Sequence, residues 1–284
     1  MFDTAIIGTG PAGLSAAITL KMRGKSVLWF GPRSLSDKVE RSEKIGNYPG
    51  LGLLSGTELN EHFRAHADLL GLEIKDRMVT LISRQSDRFM LLADNETYEA
   101  QTVLLATGVA AAKGIPGEQE FLGRGVSYCV TCDAMFYRGK TVAVLCADPR
   151  FEHEVHDLAA LAEKIYFYAA YSGSKLSAEN IVRLDSPITA VRGGMRVAEV
   201  EQKNGDVLPV YGLFCLRNAI APATLMPGLA VDGAHIAVDR AMATNYPGCF
   251  AAGDCTGRPY QIAKAVGEGN IAVHSILEYL GRMD

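Results

Sequence analysis

The chain has 284 residues, 48% of them hydrophobic and 21% charged, which is enough apolar matter for buried cores and enough length for two ordinary domains. A formal net charge of -4 argues against nucleic acid as a partner, although a small acidic protein would need only a local basic patch. No apolar run approaches a membrane span and the first residues carry no signal-peptide pattern, so no membrane association and a cytoplasmic location are expected.

Asp3 to Gly8 predicts a buried strand through Thr4, Ala5, Ile6 and Ile7. It runs into Gly8-Thr9-Gly10-Pro11-Ala12-Gly13, an apolar-periodic helix from about Leu14 to Met22, and a second strand from Ser26 to Phe30. This is a βαβ unit. Gly8 makes the tight turn, Gly10 lets the backbone approach a pyrophosphate, and Gly13 lets helix and strand pack closely, while the helix N-terminus offers amides to the anion. The acid that would hold an NAD ribose is absent, because Phe30 is followed by Gly31-Pro32-Arg33-Ser34. Arg33, Lys38, Arg41 and Lys44 read as a solvated loop, with docking of an acidic protein as the alternative. His62 with His66, and His153 with His156, have spacings at which a metal is conceivable, but exposed helix faces are expected for both.

Val103 to Gly108 predicts a second buried strand ending in a small-residue turn, and Gly248 to Asp254 another. Ala110 to Gly117 and Leu216 to Ala219 read as crossings into and out of an inserted domain. Within it lies Ser127-Tyr128-Cys129-Val130-Thr131-Cys132-Asp133. Two thiols at that spacing can close on each other and one is readily held as thiolate, so disulfide redox chemistry is expected. Tetrahedral zinc would want four ligands, and no second pair follows. Cys146, Cys215, Cys249 and Cys255 read as small buried residues, with an extra thiol role left open for Cys255.

Taken together, Gly8-x-Gly10-x-x-Gly13, Asn47-Tyr48-Pro49-Gly50, Ala106-Thr107-Gly108, the Cys129/Cys132/Asp133 run and Phe250-Ala251-Ala252-Gly253-Asp254 resemble the low-molecular-weight thioredoxin reductase family over nearly the whole chain. The resemblance implies an α/β fold of two Rossmann-like domains. An FAD-binding domain would span residues 1–112 and 218–284, around an inserted domain at 113–217 that carries the Cys pair. FAD contacts are implied for Gly8, Gly10, Pro11, Ala12, Gly13, Asn47, Ala106, Thr107, Gly108, Gly253, Asp254, Gln261 and Ile262. Asp254 would bond the ribityl chain, the helix starting near Gln261 would aim at the flavin ring, and Gly267-Glu268-Gly269 would lie in the closing helix. The catalytic group implied is Cys129, Cys132 and Asp133, with Cys132 the flavin-side sulfur and Asp133 the proton donor or acceptor. Domain rotation is implied too, with Gly114, Gly117 and the 216–219 crossing as hinges, as is a homodimer.

Two departures from the family pattern concern the second nucleotide. Members that use NADPH carry G-x-G-x-x-A after the strand that follows the Cys pair; here Val142-Ala143-Val144-Leu145 runs into Cys146-Ala147-Asp148-Pro149-Arg150-Phe151. Cys146 and Asp148 would fill the pyrophosphate's space, Pro149 removes an amide donor and Phe151 obstructs helix packing. Asp148 adds a like charge worth about 4 kcal/mol at ~4 Å. After the next strand, Lys164 to Tyr168, the family's basic cluster for the 2'-phosphate is replaced by Ala169-Ala170-Tyr171. The pattern resembles the pyridine-nucleotide-independent branch, which implies electrons passing from reduced ferredoxin through FAD and the dithiol to thioredoxin, without NADPH. An NADPH-dependent reductase with an atypical site, a diflavin enzyme with Tyr166, Tyr168 and Tyr171 stacking on a second flavin, a non-catalytic redox sensor and a peroxide or glutaredoxin-type disulfide reductase are the alternatives.

Overall fold

The computed structural model describes residues 1–94, 96–109, 114–118, 120–128, 130–217 and 220–282, and the side chains of Thr131 and Cys132 also fall outside that description. The chain forms two compact units, Met1–Ala110 with Pro222–Asp284, and Ala111–Ala221. The boundaries expected from sequence lie a few residues away.

The first unit begins β1 (Phe2–Ile7), α1 (Pro11–Met22), β2 (Val27–Phe30), α2 (Asp37–Glu40), α3 (Gly56–Leu69), β3 (Ile74–Lys75), β4 (Val79–Gln85), β5 (Arg88–Ala93) and β6 (Glu96–Leu105). Strands β3, β2, β1 and β6 pair in parallel, and β5 and β4 continue the sheet antiparallel. The helix starts at Pro11 rather than near Leu14, because proline lacks only an amide that the first helical turn leaves unpaired anyway. β6 is longer than the expected strand. Its first half pairs with β5, and its second half lies between β1 and a strand that arrives only after the second unit.

The second unit contributes β7 (Val126–Ser127), α4 (Val130–Asp133), β8 (Thr141–Cys146), α5 (Glu152–Ala159), β9 (Lys164–Ala169), β10 (Ile181–Arg183), β11 (Ile188–Gly193), β12 (Val197–Gln202), β13 (Val207–Pro209) and β14 (Gly212–Leu216). Its main sheet is parallel, in the order β10-β9-β8-β14-β7, and β11, β12 and β13 form a separate antiparallel sheet. Parallel strands are covered on both faces, which is why β8 and β14 are almost continuously buried. Val142, Val144, Ile165, Phe167 and Phe214 pack with Val155 and Leu158 of α5 to make this unit's core.

The chain then completes the first unit with α6 (Pro222–Leu225), β15 (Val231–Asp232), β16 (His235–Ile236), β17 (Cys249–Ala251) and α7 (Ile262–Leu280). β17 pairs in parallel with β6, Phe250 opposite Leu104. α7 packs against α1 so closely that a Cβ on Gly269 would stand 2.3 Å from the Ala12 carbonyl oxygen. Ser15 donates to the Val266 carbonyl at 2.9 Å across the same contact. The closing helix therefore covers the first helix, and both start at the same end of the sheet.

Candidate functional site

At the C-terminal end of β1 the chain turns at Gly8, φ +116°, where a side chain would collide with the Ala106 carbonyl oxygen at 2.2 Å. Gly13 is equally constrained, since its Cβ would stand 2.0 Å from Gly8 O. Gly10 differs. Its position has open space within 4 Å, so a ligand could approach the backbone there. The first bond of α1 runs from Leu14 N to Gly10 O, so the Ala12 and Gly13 amides precede it at the positive end of the helix. Thr9 does not face the same way: its hydroxyl reaches the carbonyls of Pro32 and Leu35 at 3.0 and 2.8 Å, tying down the loop after β2.

Ala106, Thr107 and Gly108 follow β6 beside this turn. Ala106 N bonds Ile7 O at 2.8 Å, and Gly108 has φ +68° with open space where a Cβ would be. The Thr107 hydroxyl oxygen is buried without a well-formed hydrogen bond in the protein, its contact being the Cys255 thiol. Gly253, φ +90°, brings the turn after β17 against Ala12, with room for 2.9 Å between a Cβ and the Ala12 methyl. Asn47 donates to Gln261 Oε1 at 2.7 Å, and Gln261 is the residue preceding α7. Ile262, first in α7, packs on the small cluster of Val39, Ile45 and Leu59. The residues expected at an FAD site thus gather around the ends of β1, β6, β17 and the start of α7.

Two features of this cradle were not legible in the sequence. Lys38 reaches the Asp254 carboxylate at 2.5 Å from 216 positions away, so it belongs to the Asp254 turn while Arg33, Arg41 and Lys44 remain in the basic loop. Lys264 and Glu268 form a partly buried pair at 3.0 Å. The Lys264 ammonium also donates to the carbonyls of Gly253 and Gly257, each at 2.9 Å, and Glu268 accepts from Gly253 N–H at 2.8 Å and the Thr256 hydroxyl at 2.9 Å. The i,i+4 spacing of Lys264 and Glu268 was the one available signal.

In the second unit, Cys129 lies outside the described residues, and of Cys132 only the backbone within α4 is described. Asp133 is partly buried at the end of α4 and electrostatically close to the Tyr137 phenol, whose pKa is raised by burial first and by Asp133 second. Met135 and Phe136, just beyond, are 62% and 71% exposed.

The turn after β8 departs from a nucleotide cradle in detail. Cys146 is fully buried in the core, with its thiol on the Asp148 carbonyl at 3.2 Å. One expectation needs correcting: Asp148 is not a bare charge. Its carboxylate accepts from Arg150 N at 2.9 Å and faces the Arg150 guanidinium at 3.2 Å, so the 4 kcal/mol repulsion does not apply as stated. The segment Pro149–Phe151 forms a 3-10 turn and delays the start of α5 to Glu152. The Glu152 carboxylate accepts from Tyr171 Oη at 2.8 Å and Ser174 Oγ at 2.6 Å. A cation does come near from β10: Arg183 donates to Ser174 O and Oγ at 3.0 and 3.1 Å, and so holds the same loop. Tyr166 bonds Lys164, and Tyr171 packs on the core.

Gly114 and Gly117, expected as hinges, have packing roles. A Cβ on Gly117, φ +84°, would stand 2.0 Å from Val191 O, and one on Gly114 would stand 3.0 Å from the Glu118 carboxylate. Pro116 O also accepts from Val191 N at 3.0 Å, fixing this stretch to β11. His62, His66, His153 and His156 are exposed, and no metal-binding group of three or more His, Cys, Asp or Glu occurs among the described residues. No described helix is long and apolar enough to cross a membrane.

The sequence matches the model of the pyridine nucleotide-disulphide oxidoreductase family over residues 2–147 and 170–269. It is 32% identical to a thioredoxin reductase of Treponema pallidum, with 98% of this chain and 97% of that protein aligned. Among solved structures it is similar to a ferredoxin-flavin thioredoxin reductase from Clostridium acetobutylicum, at 40% identity and TM-score 0.93, covering 99% of this chain and 98% of that one. A thioredoxin reductase from Gloeobacter violaceus follows the same fold at 27% identity and TM-score 0.81, covering 99% of this chain and 94% of that one.

Proposed function

Because the chain belongs to the pyridine nucleotide-disulphide oxidoreductase family and is an oxidoreductase of its thioredoxin reductase group, we propose that it reduces thioredoxin with electrons from a reduced ferredoxin, not from NADPH. FAD is the cofactor of this family. The first unit has the features FAD needs: bare backbone at Gly10 and Gly108, helix amides at Ala12 and Gly13, and a buried Thr107 hydroxyl short of a partner. Asp254 and the start of α7 at Ile262 would serve the ribityl and ring ends. When bound, a flavin accepts electrons singly and delivers them in pairs, the chemistry required between an iron-sulfur donor and a disulfide.

The observation that carries the choice of donor is the closed turn after β8. A pyrophosphate there would meet the Glu152 carboxylate in the first turn of α5, already bonded to Tyr171 and Ser174, with Asp148 and Phe151 before it. Glycines and free amides are what such a ligand needs, and an acidic first turn repels it. The stretch at 148–169, left out of the family match, contains this turn and helix. The similarity to a protein described as a ferredoxin-flavin thioredoxin reductase supports the same reading.

On the dithiol side, a thiolate of the Cys129/Cys132 pair attacks one sulfur of the partner's disulfide, forming a mixed disulfide and releasing one partner thiolate. The second cysteine then displaces the partner and closes the pair, so two electrons and, after protonation, two protons pass to the partner. Asp133 stands in reach of the pair by sequence and would handle the proton, while exposed Met135 and Phe136 offer apolar area for docking. A homodimer in the cytoplasm completes the proposal. The test is thioredoxin reduction by the FAD-loaded protein: turnover is expected with reduced ferredoxin, and comparable turnover with NADPH alone would contradict the reading. Cys129→Ser and Cys132→Ser should each abolish turnover with FAD retained.

A further inference from the structure

Among the described residues of the second unit, Glu118, Tyr128 and Arg217 form a buried polar cluster apart from the turn after β8. Glu118 is 3% exposed, Tyr128 7% and Arg217 9%. One Glu118 carboxylate oxygen accepts from Arg217 Nη2 at 3.0 Å and from Ile115 N–H at 2.8 Å, and the other accepts from the Tyr128 hydroxyl at 2.9 Å. Tyr128 and Arg217 lie 10 and 99 positions from Glu118. The network therefore joins three stretches: the chain near the unit's start, the exit of β7, and the residue after β14.

Apolar side chains of similar volume would hold such segments at least as firmly, because a buried ion pair loses in desolvation much of what it gains in attraction. What the ion pair adds is direction. Tyr128 is bonded in sequence to Cys129, and the strand before it is only two residues long, with Val126 and Ser127 opposite Leu213 and Phe214. Burial, then the carboxylate, push the Tyr128 phenol far above its ordinary pKa and keep it a donor. Cys215, fully buried beside the pair, has its thiol raised by burial and then by Glu118, which leaves it inert.

We propose that Glu118, Tyr128 and Arg217 are positioning residues for thiol–disulfide exchange: they clamp the residue before Cys129 to the stretches at both ends of the unit and so aim the redox loop at its partner. The proposal rests on the dithiol reading above.

The test reads the disulfide directly, without donor or acceptor protein, as the rate at which dithiothreitol reduces it in the oxidised, FAD-loaded protein. Tyr128→Phe removes one oxygen and keeps the ring; the rate is expected to fall by about 10- to 100-fold, as for other small misplacements of reacting groups. With thioredoxin the loss should appear in kcat, with KM unchanged. Arg217→Lys should recover most of the rate lost in Arg217→Met. The paired variant Glu118→Gln/Arg217→Met, which leaves no buried charge unpaired, should melt near the wild-type temperature and still react slowly. A wild-type rate in Tyr128→Phe overturns the clamp, as do rates that simply follow melting temperature across the series. A wild-type disulfide that dithiothreitol does not touch overturns the dithiol reading instead, and the clamp with it.

Discussion

Trp29, the chain's single tryptophan, donates its indole N–H to Gly8 O at 3.0 Å and so stands at the turn that a flavin dinucleotide would occupy. Loading FAD should therefore quench its fluorescence, and an unchanged emission at saturating FAD would place the cofactor elsewhere. The thiols give a second measurement. Burial pushes Cys255 up to about 11 and Cys249 up to about 12 from the ordinary 9.0. A folded chain that keeps these protons while the unfolded chain loses them is favoured below pH 9 and loses that advantage as pH rises through 11 to 12. Melting temperature should then fall above pH 9, and alkylation at neutral pH should label only the Cys129/Cys132 pair once reduced. Labelling of Cys255 in the native protein would contradict its burial. At Lys264, loss of the ammonium leaves Glu268 and two carbonyls short of a donor, so Lys264→Met should cost about 2 kcal/mol in urea unfolding.

Elements buried on both faces were legible in the sequence. β1, β2, β8 and β17 are short apolar runs ending in glycines or small residues, because parallel strands between layers have no polar face to show. The meander of β4, β5 and the first half of β6 was not read, since burial there alternates and its strands carry charges such as Arg88 and Glu99. The steric roles of Gly8 and Gly13 were read correctly, and together with Gly10 these residues separate fold from ligand. Gly13→Ala drives a methyl into Gly8 O and should cost about 1–3 kcal/mol of stability along with cofactor binding. Gly10→Ala meets only open space, so the apoprotein should melt normally and yet bind FAD poorly. Equal loss of stability in both variants would argue that Gly10 is structural.

At the scale of the molecule, what sequence spacing cannot supply is the distant partner of a polar or charged side chain. Lys38 with Asp254, Asn47 with Gln261, and Glu118 with Arg217 meet across 216, 214 and 99 positions, and no periodicity announces them. The same limit explains the one mistaken charge argument: Asp148 reads as a bare anion until the turn folds Arg150 back onto it. The proposal that the second nucleotide site is closed survives that correction, since Glu152 of α5, Tyr171 and Ser174 of the loop after β9, and Arg183 of β10 knit the region together. On the proposed reading, reducing power reaches the flavin without a nicotinamide bound at this turn. Anaerobic titration of the FAD-loaded protein measures this most directly, by following flavin absorbance as each reductant is added. Stoichiometric bleaching by reduced ferredoxin, with none by NADPH or NADH on the same time scale, is the predicted result; rapid bleaching by NADPH would contradict it.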